Sequence, residues 1–166
     1  RAAVRRGQDG DGRGDRCRDL RKGAPRKRVV SADLSDPATP SWSEVIPEQE
    51  STLKSVQHVG GELIANTMQD ATTRLVRWDE HGTRKGEIKL PGLGTANASG
   101  GERDHGETFY SFSSFTTPPT IYHLDLASGE SRKIDGSHLD FDFSKYVVQQ
   151  VFYSSKDGTR VPMFLV

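Results

Sequence analysis

Histidine and cysteine are the residues of this sequence that could most readily bind a metal, so their spacing comes first. The single cysteine, Cys17, cannot form a disulfide within the chain or supply the paired thiolates of a common zinc site. No two of the five histidines have the spacing of a helical metal-binding pair, so we predict structural or solvated histidines and no metal. They are His58, His81, His105, His123 and His138.

A nucleophilic serine would need a Gly-x-Ser-x-Gly elbow between a strand and a helix. The nearest stretch, NASGG at residues 97–101, lacks the first glycine. Its first three residues also match the N-glycosylation acceptor pattern, which is common by chance. Residues 92–94 begin a dinucleotide-binding fingerprint, but no third glycine or helix follows. We therefore predict no catalytic, cofactor-binding or metal-binding residue in this chain, and no cofactor.

Charge divides the chain into two unlike parts. Residues 1–28 contain 11 Lys or Arg and 4 Asp or Glu, a net charge of +7, whereas residues 29–166 carry −7. The basic part could be an arm that binds nucleic acid, and a separate group of aromatic residues at 109–115 could stack on bases. The negative charge around these aromatics instead favours a role in the core, and we predict no nucleic-acid partner. They are Phe109, Tyr110, Phe112 and Phe115.

Residues 1–22 have neither helical nor strand periodicity and contain no aromatic residue. We predict a disordered, strand-free segment, or the product of a frameshift in a GC-rich gene. Residues 9–12 (DGDG) could begin a calcium loop, but Arg13 occupies the next ligand position and Leu20 the position of the bidentate glutamate. No apolar run approaches 18 residues and no signal-peptide pattern is present, so we predict no membrane partner.

Short segments of alternating polarity begin at residue 28. Turn residues separate them, and none has the periodicity of a long helix. The predicted strands are 28–34, 42–46, 52–59, 61–68, 73–78, 85–90, 107–112, 120–124 and 131–134.

An aspartate follows three of these strands at a constant interval. Asp33, Asp79 and Asp125 are 46 residues apart, and each is followed by a polar turn and a further strand. Several strands per repeat and a period in the forties are typical of β-propeller blades. The sequence thus predicts an all-β fold, a partial β-propeller with about two to three four-stranded blades. A β-sandwich is the competing fold, since its strands are also evenly spaced.

The last residues, VFYSSKDGTRVPMFLV at 151–166, closely resemble the junction between the propeller and the catalytic domain of prolyl oligopeptidases, a family of serine peptidases. The resemblance extends back to about Gly23. Its further motifs are Ala24-Pro25-Arg26, Trp42 with residues 45–48 (VIPE), residues 109–115 (FYSFSSF), Pro118 and Ile121-Tyr122.

The resemblance implies a seven-bladed propeller that encloses an α/β-hydrolase domain. It implies cleavage of short peptides after proline by a Ser/Asp/His triad without a cofactor. We expect residues 23–145 to be the last blades of the propeller and residues 146–166 to be the first β-hairpin of the hydrolase domain. The triad is expected beyond Val166, so this chain alone should be inactive.

The expected partners are proline-containing oligopeptides and the hydrolase domain itself, and the intact protein should be a monomer. The family has cytoplasmic and periplasmic members, which leaves both compartments open. The alternative function is a propeller that acts as a non-catalytic interaction module.

Overall fold

The structure, a computed structural model, describes residues 3–5, 16–20, 23–33, 41–136 and 142–166. Over these residues it contains fourteen β-strands, one short 3-10 helix and no α-helix. The strands form three four-stranded antiparallel sheets and one separate hairpin. None of the helical structure in the described residues is long and apolar enough to cross a membrane.

The first sheet has the strand order β1-β2-β3-β4. Its strands are β1 (Ala3–Arg5), β2 (Arg16–Leu20), β3 (Arg28–Asp33) and β4 (Ser41–Ile46). The prediction of a strand-free segment 1–22 is therefore wrong for β1 and β2. Because β2 pairs with β3 over its whole length, its conformation depends on that partner more than on its own weak strand propensity. The 9–12 calcium-loop alternative lies outside the described residues.

The second sheet is an antiparallel meander and lies in the middle of the molecule. It contains β5 (Thr52–Val59), β6 (Glu62–Gln69), β7 (Thr72–Asp79) and β8 (Arg84–Glu87). The first six residues of β6 are all buried, on both faces of the strand. This sheet is therefore covered on both sides by its neighbours.

The third sheet contains β9 (Thr95–Ala98), β10 (Glu107–Ser113), β11 (Thr120–Asp125) and β12 (Ser131–Gly136). The sequence analysis missed β9, which is short and has little apolar alternation. It pairs with β10 and also contacts the second sheet, where the Asn66 side-chain amide donates to the Ala96 carbonyl at 2.9 Å. These two partners account for a strand that its own residues do not predict.

The repeated aspartates occupy equivalent places, because Asp33, Asp79 and Asp125 each end the third strand of a sheet. The Asp79 carboxylate accepts the backbone N–H of Thr83 at 2.7 Å, and the Asp125 carboxylate accepts that of Ser128 at 2.7 Å. These backbone hydrogen bonds hold the pKa of both carboxyl groups below its ordinary value. The 46-residue interval from Asp79 to Asp125 thus joins two aspartates that accept backbone N–H groups in the turn after the third strand, whereas the turn after Asp33 lies outside the described residues.

Two apolar cores alternate with the three sheets. One lies between the first and second sheets and includes Val29, Leu63 and Trp78. The other lies between the second and third sheets and includes Ile64 and Tyr110. Three sheets stacked in series, with a core on each side of the middle one, are successive propeller blades. The propeller prediction is confirmed, and the two-layer sandwich is excluded for the described residues.

A hairpin follows the third sheet. The 3-10 helix Phe143–Lys145 leads into β13 (Gln149–Ser154), which pairs with β14 (Arg160–Leu165). In the turn between them, Asp157 accepts the Thr159 backbone N–H at 3.0 Å. The hairpin belongs to none of the three blades.

Candidate functional site

Three of the described histidines have ring contacts, His58 and His123 with carboxylates and His105 with the Glu102 backbone N–H, while the His81 backbone N–H donates to Asp79. His58 Nε2 is 2.8 Å from Glu80 Oε1, and Arg103, from the segment that precedes β10, contacts the other oxygen of Glu80 at 2.6 Å. His123 Nε2 is 2.5 Å from Glu107, across the β10–β11 pair. Within the described residues no group of three or more His, Cys, Asp or Glu side chains could hold a metal ion. His138 lies outside them.

The serine look-alike at residues 97–101 is part of a strand and the loop after it. Asn97 and Ala98 end β9, and the Ser99 N–H donates to the Phe109 carbonyl at 2.8 Å. The Gly101 N–H then donates to the His58 carbonyl at 3.1 Å. An elbow that presents a nucleophile requires a turn from a strand into a helix, which this stretch does not make.

The aromatic residues of the third sheet divide between its two faces. Tyr110 and Phe112 are each 1% exposed and pack in the core against the second sheet, as predicted. Phe109 and Phe115 are 42% and 65% exposed, so the core prediction is wrong for them. Phe109 lies on the outer face, where its ring meets that of His123 edge-on at 5.6 Å. In a strand, neighbouring side chains point to opposite faces, which separates Phe109 from Tyr110 and Phe112, whereas Phe115 lies in the segment after β10.

A buried ionic cluster, not predicted from the sequence, connects the second and third blades. Arg77 donates to both oxygens of Glu62 at 2.8 Å, and Lys85 Nζ lies 2.5 Å from one of them. Arg77 also donates to the backbone carbonyl of Leu126, which follows β11. Burial raises the pKa of Glu62, but the hydrogen bonds from Arg77 and Lys85 outweigh it and hold that pKa below its ordinary value.

The hairpin β13–β14 is the candidate functional site, because it pairs with none of the three described blades and exposes several apolar side chains. Tyr153, Met163 and Leu165 are 41% to 50% exposed on the face that the β13–β14 register turns away from the blades. Phe164 is on the other face and contacts Phe115 at 5.5 Å between ring centroids. Apolar side chains that are exposed together on one face mark a candidate contact surface.

Comparison with known proteins identifies the propeller. The profile described as "Prolyl oligopeptidase, N-terminal beta-propeller domain" matches residues 18–136, which is more than two thirds of the chain. This chain belongs to the prolyl oligopeptidase family. Its three sheets correspond to blades of that propeller.

Individual relatives agree. A prolyl endopeptidase of Elizabethkingia miricola is 39% identical over 144 residues, which cover 87% of this chain and 20% of the relative. A prolyl endopeptidase of Dictyostelium discoideum is 33% identical over 153 residues, which cover 86% of this chain and 20% of the relative. The chain thus spans about a fifth of the length of these curated relatives.

Solved structures give the same result. One, from work on two prolyl endopeptidases and the role of their inter-domain dynamics, superposes with a TM-score of 0.78 at 36% identity, covering 98% of this chain and 24% of that one. Prolyl oligopeptidase B from Galerina marginata superposes with a TM-score of 0.81 at 23% identity, covering 98% of this chain and 23% of that one. At this low identity the superposition supports the fold alone.

Proposed function

We propose that this chain is part of a serine endopeptidase that cleaves short peptides on the carboxyl side of proline. In this proposal, residues 23–145 are the last blades of a propeller that limits access to the active site. Residues 146–166 begin the α/β-hydrolase domain that carries the Ser/Asp/His triad. Within the Arg/Gly-rich residues 1–22, β1 and β2 contribute the first two strands of the first blade. No cofactor takes part, and proline-containing oligopeptides are the substrates of the intact protein.

The apolar hairpin β13–β14 is the observation that carries the proposal. It comes after the third blade in the chain, pairs with no strand of the three described blades, and leaves Tyr153, Met163 and Leu165 exposed on one face. A two-stranded hairpin is marginally stable in water unless further strands or helices cover its apolar face. A hydrolase sheet that continues from this hairpin would supply that cover.

The contacts of the described side chains indicate which part of the intact protein would carry the catalytic residues. His58 and His123 are each held by a carboxylate that bridges strands or blades, which is a structural role. The nucleophile, the base and the residue that orients the base would then all be supplied by the hydrolase domain. The contribution of this chain is to hold that domain and to restrict the size of the peptides that reach it.

A chimera tests the proposal. Residues 23–166 replace the matching segment of the Elizabethkingia miricola prolyl endopeptidase, and turnover of a Gly-Pro-linked chromogenic peptide is measured. We expect activity from the chimera, little activity on the Gly-Ala analogue, and none from the 166-residue chain alone. Turnover by the chain alone, or a folded chimera that lacks activity, would contradict the proposal.

The alternative, a propeller that acts as an interaction module, rests on the outer face of the third sheet. Phe109 and Ile121 are 42% and 41% exposed there and are available to a partner protein. In the peptidase proposal the same face is covered by another blade of the ring. A folded but inactive chimera would favour the interaction module.

A further inference from the structure

One face of the hairpin is dedicated to contacts with the blades. The β13–β14 register places Gln150 opposite Phe164, and Phe152 follows Gln150 by two positions, so these side chains share a face. Arg160 joins this face, because its guanidinium carbon lies 3.3 Å from the centroid of the Phe152 ring. The residues of this face reach the second and third blades at two separate points.

The first point is the turn between β6 and β7 in the second blade. The Gln150 side-chain amide donates to the backbone carbonyl of Asp70 at 2.5 Å. Arg160, lying across Phe152, brings its guanidinium to 3.8 Å from the Asp70 carboxylate. The Asp70 and Arg160 side chains are 40% and 62% exposed, so dissolved salt can screen their attraction.

The second point is apolar. Phe164 packs against Phe115, in the segment that follows β10 of the third blade, with ring centroids 5.5 Å apart. Salt does not weaken such a contact. The hairpin is therefore held by one polar contact and one apolar contact, each on a different blade.

The backbone of the β6–β7 turn is unusual at the polar contact. Asp70 and Ala71 both have positive φ, at 50° and 60°. A two-residue hairpin turn with this geometry favours Asn-Gly or Asp-Gly, and alanine is disfavoured in the left-handed region. The turn holds the Asp70 carbonyl and carboxylate toward the hairpin, so an unfavourable local conformation coincides with a contact between two domains.

We propose that Asp70 is a salt-sensitive latch for the hairpin and that Phe115 is the pivot about which the hairpin moves when the latch opens. This inference deepens the proposed function and, as a statement about domain movement, rests on it. In the intact peptidase the hairpin would transmit that movement to the hydrolase domain. Opening of the latch would then change access to the active site.

Hydrogen exchange in the 166-residue chain tests the latch. The variant is Asp70→Asn, since asparagine tolerates positive φ and keeps the backbone carbonyl that accepts from Gln150. The matched control is Glu87→Gln, which removes the same charge from the same sheet but whose ion-pair partners are Arg74 and Arg84. Exchange is followed by mass spectrometry in peptides covering residues 149–165 and, as an internal reference, residues 62–69.

In the latch variant we expect amides of residues 149–165 to exchange about two- to five-fold faster, the factor that loss of an exposed ion pair produces. Exchange in residues 62–69 and in the control variant should stay at the unmodified rate. Raising NaCl from 0.05 M to 1 M should accelerate hairpin exchange in the unmodified chain but not in Asp70→Asn. Phe115→Ala should accelerate it at both salt concentrations.

Equal hairpin exchange in Asp70→Asn and Glu87→Gln, or hairpin exchange that salt leaves unchanged, would overturn the latch. The measurement uses no peptidase activity, so it is independent of the proposed function. An inactive chimera with a salt-sensitive hairpin would reject the peptidase function but still support the contact between Asp70 and the hairpin. An active chimera with a salt-insensitive hairpin would support the peptidase function and reject the latch.

Discussion

Replacing Arg77 with methionine should strongly destabilise the chain. The guanidinium of Arg77 binds both oxygens of Glu62 at 2.8 Å and also donates to the Leu126 carbonyl of the next blade. Methionine preserves much of the aliphatic stem but none of the donors. The Glu62 side chain, only 7% exposed, would keep Lys85 as its partner in this cluster.

The expected loss follows from these contacts. Removing one member of a buried ion pair costs about 3–5 kcal/mol, because the remaining charge stays buried without its counter-charge. Lys85 still reaches one oxygen of Glu62 at 2.5 Å and is itself 46% exposed, which reduces this loss to about 2 kcal/mol. The hydrogen bond to Leu126 adds about 1 kcal/mol. We expect Arg77→Met to lower the free energy of unfolding by about 3 kcal/mol.

Urea denaturation at pH 7, followed by tryptophan fluorescence, to which the core residue Trp78 contributes, measures this loss. Arg74→Met is the matched control, because Arg74 is on the same strand but is half exposed and lies 3.9 Å from Glu87. Its effect should stay below about 1 kcal/mol. The double variant Glu62→Gln with Arg77→Met should recover part of the stability, since no buried carboxylate is then left without its partner.

The pH dependence gives an independent test. The pKa of Glu62 is held below its ordinary value in the folded chain, so its contribution is complete above the pKa of an unfolded glutamate. That contribution is lost as the pH falls through the lower, folded pKa. Arg77→Met should make this acid-dependent loss smaller. The reasoning fails if Arg77→Met and Arg74→Met are equally stable at pH 7, or if their acid profiles coincide.

Three further substitutions test the packing by the same urea assay. Gly82→Ala should lower the free energy of unfolding by about 3 kcal/mol, because its Cβ would lie 2.0 Å from the Val45 carbonyl oxygen of the preceding blade. Gly61→Ala is the control, because Gly61 has a φ of +70° but nothing lies within 4 Å of its Cβ. It should lower the free energy of unfolding by only about 1–2 kcal/mol. Equal losses in the two variants would contradict the clash. Ala71→Gly should raise the free energy of unfolding by about 0.5 kcal/mol, because the relief of the left-handed backbone conformation exceeds the entropic cost of ordering glycine. A lower free energy of unfolding would show that the turn is unstrained. Leu75→Ala should lower the free energy of unfolding by about 2–5 kcal/mol, because Leu75 is fully buried between the second and third blades. A smaller loss would show that the cavity left by the substitution collapses.

The strands of the second blade were the most predictable part of the fold. Their apolar residues and their bounding turns are local features, and the aspartate that ends the third strand recurs 46 residues later at Asp125. Strand β9 was not predictable in this way, because Ala96 is held by β10 and by the Asn66 side chain. The strand β2 likewise depends on its pairing with β3. A strand stabilised mainly by its partners leaves only a weak signal in its own residues.

By itself, the sequence determined the alternation of the strands, the aspartate turn that repeats every 46 residues, and the hairpin motif at 151–166. The alternation and the hairpin motif depend on residues that are close together in the chain, and the aspartate interval reflects the length of one repeat. Only the tertiary structure decided that Arg77 links Glu62 to the next blade, and that Asp70 meets Arg160 ninety residues later. These contacts depend on the twist and stacking of whole sheets, which bring together side chains whose separation in the sequence carries no period.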